Sequence, residues 1–94
     1  MFKNSRYLTK GVQTEIPLEL QFFMWNCIDQ LPEERDYLQV FNLEPFGEMQ
    51  RIMHTSENPE YKMEYLIPSE VPITAKVYVI DDGDHSTMLL VNEY

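Results

Sequence analysis

The chain has 94 residues, 44% of them hydrophobic and 13% aromatic, with three glycines, six prolines and a single cysteine. That composition fits one domain spanning residues 1–94 with a core of its own, and excludes solenoid arrays, low-complexity linkers and disulfide scaffolds. The formal charge is −9, and since residues 1–12 hold Lys3, Arg6 and Lys10 without an acid, the rest of the chain carries −12; a field of that sign repels phosphate backbones, so no direct nucleic-acid binding is expected.

The first segment, "RYLTKGVQTEI", is rich in Thr, Tyr and Val and predicts a strand. Pro17 then opens "PLELQFFMWNCIDQL", which runs without a breaker to Pro32 and predicts a helix over 17–31. At helical spacing Leu20, Phe23, Met24, Cys27, Ile28 and Leu31 share a core-facing sector, so the helix is expected to pack on a sheet. Leu18, Phe22 and Trp25 gather on another side, flanked by Glu19, Gln21, Asn26 and Gln30. Either the N-terminal segment or "NLEPFGEM" covers them, or they are the anchor of a protein contact.

Beyond the charged connection "PEERD", the stretch "YLQVFNL" predicts an interior strand, with Leu38 and Val40 on one face and Tyr37, Phe41 and Leu43 on the other. "EMQRIMH" and "YKMEYLI" flank "TSENPE" and predict a hairpin. In the expected register Met53 opposes Met63, Arg51 opposes Tyr65 and Met49 opposes Ile67, which leaves Gln50, His54, Lys62 and Glu64 on the other face. "PSEVP" breaks the chain before a last hairpin, "ITAKVYVI" and "STMLLVN". With Asp82 and Gly83 as its turn, Val79 opposes Ser86, Val77 opposes Met88, and Ile73, Ala75, Val77, Val79, Met88 and Leu90 share a face; a three-residue loop with Gly83 left-handed is the alternative. The expected architecture is α+β, a single curved and mostly antiparallel sheet of five to six strands with one helix (17–31) across it, in the order β-α-β-β-β-β-β.

The turn "DDGDH" is where side chains able to do chemistry gather. The register above sets Asp81 opposite Asp84, a like-charge pair that a cation would relieve, which makes Asp81, Asp82, Asp84 and His85 weak candidates for divalent-metal ligands. A calcium loop of the EF-hand type would need a Glu where Asn92 stands, and zinc would need more His or Cys than His85 and the distant Cys27. A structural turn is therefore the favoured expectation, with no cofactor. His54 and His85 are lone histidines near predicted turns, expected to be solvated, and no glycine-rich loop, nucleophile elbow or Cys–His cue is present. No catalytic residue is predicted. Cys27 lies in an apolar run as a buried thiol, which implies a reducing compartment; no apolar leader and no run of about 18 apolar residues occurs, so a cytoplasmic protein off the membrane is expected.

As a set, "RYLTKGVQ", "IPLELQ" with a tryptophan in the helix, "IDQL", "DYLQVF", "PEYKMEYL" and "VIDDGDHSTMLLVNEY" resemble the small family of Gram-positive bacteria known as domain of unknown function 960, over nearly the full length. The resemblance implies a small cytoplasmic α+β domain without established activity, and no site residue can be carried over from it. The functional expectation is a non-enzymatic protein-interaction domain that binds a partner, or itself, through Leu18, Phe22 and Trp25. An acidic mimic of nucleic acid that occupies the basic groove of a DNA- or RNA-handling enzyme is the alternative. A divalent-metal-dependent enzyme built on "DDGDH" ranks third.

Overall fold

The computed structural model describes residues 2–94. Its elements run β1 (Ser5–Leu8), α1 (Lys10–Glu15), α2 (Leu18–Asp29), β2 (Leu38–Phe46), β3 (Met49–Glu57), β4 (Glu60–Pro68), β5 (Ala75–Asp81) and β6 (His85–Leu90), closed by a 3₁₀ turn (Val91–Glu93). The strands form one sheet in the order β1-β6-β5-β2-β3-β4, antiparallel except where β1 runs parallel to β6. The fold is thus α+β with a mostly antiparallel six-stranded sheet, but with two α-helices where one was expected.

The expected first strand ends early. Thr9, still extended at φ −74° and ψ 165°, caps α1, its hydroxyl oxygen accepting from the Val12 N–H at 3.4 Å while its own N–H reaches the Met88 carbonyl at 3.1 Å. A cap residue followed by a stretch free of proline turns a β-prone composition into one and a half helical turns, because Val12 and Ile16 are then both buried. The Gln21 amide donates to the carbonyls of Val12 (3.3 Å) and Ile16 (2.8 Å), stitching α1 to α2. Glu93 locks the same corner from the other end of the chain: it accepts from the Thr9 hydroxyl (2.6 Å), the Gly11 N–H (3.1 Å) and the Leu90 N–H (2.8 Å). The Thr9 hydroxyl and these N–H groups hold its carboxyl below the ordinary value. Gly11 makes that approach possible, since a Cβ there would stand 2.6 Å from a Glu93 oxygen. Thr9→Ala should cost about 1 kcal/mol, read as a lower urea midpoint at unchanged slope.

The longer helix follows expectation. Pro17 precedes it with φ −54°, Glu19 sits in its first turn where a carboxylate suits the dipole, and Leu20, Met24, Cys27, Ile28 and Leu31 are buried. Phe23 is half-buried, edge-on to Tyr65 of β4 with ring centroids 5.1 Å apart. These side chains join Phe41, Leu43, Ile52, Val77, Val79 and Met88, all buried on one face of the sheet, in a single cluster that also takes in Val12 and Ile16 of the α1 segment.

Both later hairpins form, each in a register other than the expected one. In β3–β4, Met53 opposes Glu64 and His54 opposes Met63, one residue from the expected pairing. A slip of one turns β3 over relative to β4, so Gln50, Ile52 and His54 lie inside with Met63 and Tyr65, and Arg51 and Met53 lie outside with Lys62 and Glu64, which keep their expected face. The cause is the turn: Glu57 pairs with Glu60, leaving only Asn58 and Pro59 to connect the strands, and β2 brings Phe41 and Leu43 opposite His54 and Ile52. In β5–β6 the turn is centred on Gly83 (φ +102°) and Asp84, with the Asp82 N–H donating to the His85 carbonyl at 3.1 Å. Val79 therefore opposes Met88 and Val77 opposes Leu90. A shift of two preserves faces, and these four residues are buried together as the alternation predicts.

Candidate interaction surface

On α2 the three residues singled out from the sequence part company. Leu18 and Phe22 are 63% and 66% exposed, standing on the side of the helix turned away from the sheet. Trp25 is half-buried against the core, and the Arg6 guanidinium lies 4.7 Å from its ring centroid, held there by the Phe2 carbonyl (3.1 Å) and by Asp29 (2.5 Å). The N-terminal segment thus covers the tryptophan, whereas "NLEPFGEM" continues β2 into its turn and lies elsewhere. Of the expected contact, Leu18 and Phe22 are free.

The "DDGDH" residues serve the turn and the chain terminus. Asp81 is buried; it accepts from the Phe2 N–H at 2.6 Å, the Asn4 amide at 3.0 Å and the Gly83 N–H at 2.8 Å. Burial raises its carboxyl, but these donors more than reverse that and leave it below the ordinary value. Asp82 accepts from the N–H groups of His85 (3.0 Å) and Asp84 (3.1 Å), and its other oxygen faces His85 Nε2 at 3.2 Å. Those contacts, the His85 N–H first, lower its carboxyl. The expected opposition of Asp81 and Asp84 does not occur, because Asp81 pairs with Ser86. Among the described residues no group of three or more His, Cys, Asp or Glu side chains is placed to hold a metal.

His54 is the residue that sequence reasoning placed furthest from its position. Expected in solvent, it is fully buried, stacked on Phe41 at 4.2 Å and beside Tyr61 at 4.9 Å. Its Nε2 lies 2.7 Å from Gln39 Oε1, and Gln39 is oriented by its amide donating to the Asp36 carbonyl at 2.9 Å. That chain assigns the proton to Nε2 and leaves Nδ1 buried without a partner. Burial pushes the imidazole down to about 4, so the ring is neutral at pH 7. Nearby, burial raises the Cys27 thiol, with the Tyr65 hydroxyl partly opposing it, and burial with Cys27 and Tyr61 alongside raises Tyr65. Both shifts favour the neutral thiol and the neutral phenol at pH 7.

A surface that the sequence did not advertise is the face of the sheet opposite the helices. Leu38, Val40, Tyr78 and Ile80 form an apolar stripe across β5 and β2, Thr87 of β6 separates it from Tyr7 of β1, and Tyr94 stands edge-on to Tyr78. Leu38 and Val40 were legible as one apolar face of an interior strand, but that both helices lie on the other face was not. Beside the stripe, Arg51 bridges Glu44 (2.7 Å) and Glu64. A groove of about 690 Å³ borders it, lined by Asp36, Tyr37, Leu38, Val40 and Thr55 among others. Its Arg35 is spent on the carbonyls of Ile28, Leu31 and Pro32 at 2.6–3.2 Å.

Residues 5–93 match the family described as a staphylococcal protein of unknown function, DUF960. The chain belongs to that family. No curated protein matches this DUF960 chain. Among solved structures, it is similar to a protein of unknown function from Enterococcus faecalis, at 25% sequence identity and a TM-score of 0.83, over 97% of this chain and 91% of that one. The DUF960 chain therefore shares its overall fold with that protein. No helix among the described residues is long and apolar enough to cross a membrane.

Proposed function

We propose that the chain is a non-enzymatic protein-interaction domain of the cytoplasm, and that α2 is its contact element. The observation that carries this is the exposure of Leu18 and Phe22 on a helix whose other apolar residues are at least half covered. Burying such an aromatic and its neighbour against a partner's apolar groove supplies the hydrophobic part of binding. Glu19 and Asn26, one turn to either side of Phe22, and Asp29 beyond them make the rim acidic to neutral, which suits a groove with a basic border.

Phe22→Ala tests this more cleanly than any change at Trp25, which also supports the core. Affinity capture from a lysate of the source organism, nuclease-treated and washed at low and high salt, should retain a stoichiometric protein with the wild type and lose it with Phe22→Ala, at unchanged thermal stability. Loss with Ile80→Thr but not Phe22→Ala would move the contact to the open sheet face. Capture that survives Phe22→Ala but is released by salt would replace an apolar contact with charge mimicry of nucleic acid.

A further inference from the structure

Strand β4 is an edge of the sheet, pairing with β3 alone among the described residues, so the outward backbone groups of a nine-residue strand are left without a ladder. Natural edges of this length are protected by charge, and on its outer face β4 carries Glu60 at its start and then a pair of opposite sign, Lys62 and Glu64. They stand symmetrically about Met63, in "YKMEY". Glu64 is held by Arg51, whereas Lys62 makes no ion pair among the described residues. Met63 is 43% exposed.

We propose that β4 pairs antiparallel with β4 of a second copy of this chain, about a two-fold axis at Met63. A two-fold perpendicular to a sheet keeps each side chain on its own face, so only residues an even number apart can oppose each other. Centred on Met63, Lys62 opposes Glu64 of the second copy and Glu64 opposes its Lys62. The charge row Glu44, Arg51, Glu64 then continues with alternating sign into the second protomer. On the helix face Tyr61 opposes Tyr65, an aromatic cross-strand pair, and the two Met63 side chains cover each other. Centring on Lys62 or on Glu64 would instead set like charges face to face. The segment thus repels unrelated strands and accepts its own copy, and this does not depend on what α2 binds.

Sedimentation equilibrium with charge variants decides it. The wild type should be a dimer; Lys62→Glu and Glu64→Lys, each of which opposes like charges twice across the axis, should weaken self-association roughly tenfold or more. An equimolar mixture of the two variants should recover a heterodimer, because unlike charges then meet. Oxidative cross-linking gives a readout independent of charge: Met63→Cys should form an intermolecular disulfide, since opposed Cα atoms lie about 4.5–5.5 Å apart, whereas Leu66→Cys should not, its opposite number being Glu60. A wild type that stays monomeric at about 0.5 mM, single charge variants that associate like wild type, equal cross-linking at both positions, or a dimer dispersed by Phe22→Ala would each overturn the proposal.

Discussion

Lowering the pH from 7 to 4 should remove about 3 kcal/mol of folding stability through His54 alone. In the folded protein the imidazole titrates at about 4, against 6.5 for an unburied ring. Between those values the unfolded chain binds a proton that the folded chain refuses, so stability is intact above about pH 6.5, falls as the pH drops and levels off below about 4. The refusal has a structural cause: a second proton would go on Nδ1, which is buried with no acceptor, while Nε2 already donates to Gln39. Out of a typical total of about 5–15 kcal/mol this is a large share. Denaturant unfolding of the wild type and His54→Phe at half-unit pH steps would show it. At pH 7 the variant should be less stable by about 1–3 kcal/mol, because Gln39 Oε1 is left unpaired. The gap should close or reverse by pH 4; parallel profiles would mean that His54 does not carry the acid sensitivity. Asp81, Asp82 and Glu93, whose carboxyls sit below the ordinary range, add a further loss below about pH 4, but equally in both proteins.

Asp81→Asn should destabilise the fold by about 2–3 kcal/mol at neutral pH and release the N-terminal segment. The carboxylate receives three donors, two of them from residues 2–4, and an amide can accept at only one of its two atoms. What it secures is unusual. Phe2 is fully buried at φ +61°, a left-handed conformation that a side chain with a Cβ tolerates only under strong constraint. Without the Asp81 anchor that conformation and the burial of the ring are lost together, and β1, preceded by Asn4, which also accepts from the Ser86 hydroxyl at 2.6 Å, loosens from β6. Hydrogen exchange should therefore speed up at residues 2–8 well before it does in β2 and β3. Uniform protection with an unchanged unfolding midpoint would show that Asp81 is only a turn residue. Because its folded carboxyl lies below the usual carboxylate value, the contribution persists at neutral pH and disappears as the pH falls through the folded value.

The identity of α2 and its buried stripe, the existence of a hairpin turn around Gly83 (though one residue later than Asp82-Gly83) and the apolar face of the last hairpin were legible in residue order, because each depends on neighbours three or four places apart, on proline or glycine, or on strict alternation. The hairpin even survived a register error, since a shift of two leaves faces intact. The β3–β4 pair did not: its two sides, Met49, Arg51, Met53 against Gln50, Ile52, His54, are nearly equally apolar, and local pattern alone gives no preference. Which side is buried was decided by the pairing of Ile52 and His54 with Leu43 and Phe41 of β2, partners remote in sequence. The same holds for Gln21, Gln39 and Gln50, buried polar groups whose hydrogen-bond partners lie up to 23 residues away, and for the candidate surface. Sequence marked Leu18, Phe22 and Trp25 as one apolar side of a helix. Only the packing of Arg6 over Trp25, made possible by the parallel docking of β1 on β6 from opposite ends of the chain, decided that two of them stay exposed and the third is covered. Periodicity and turn chemistry are local and are determined by the chain alone; burial of a particular face is a property of what is placed against it.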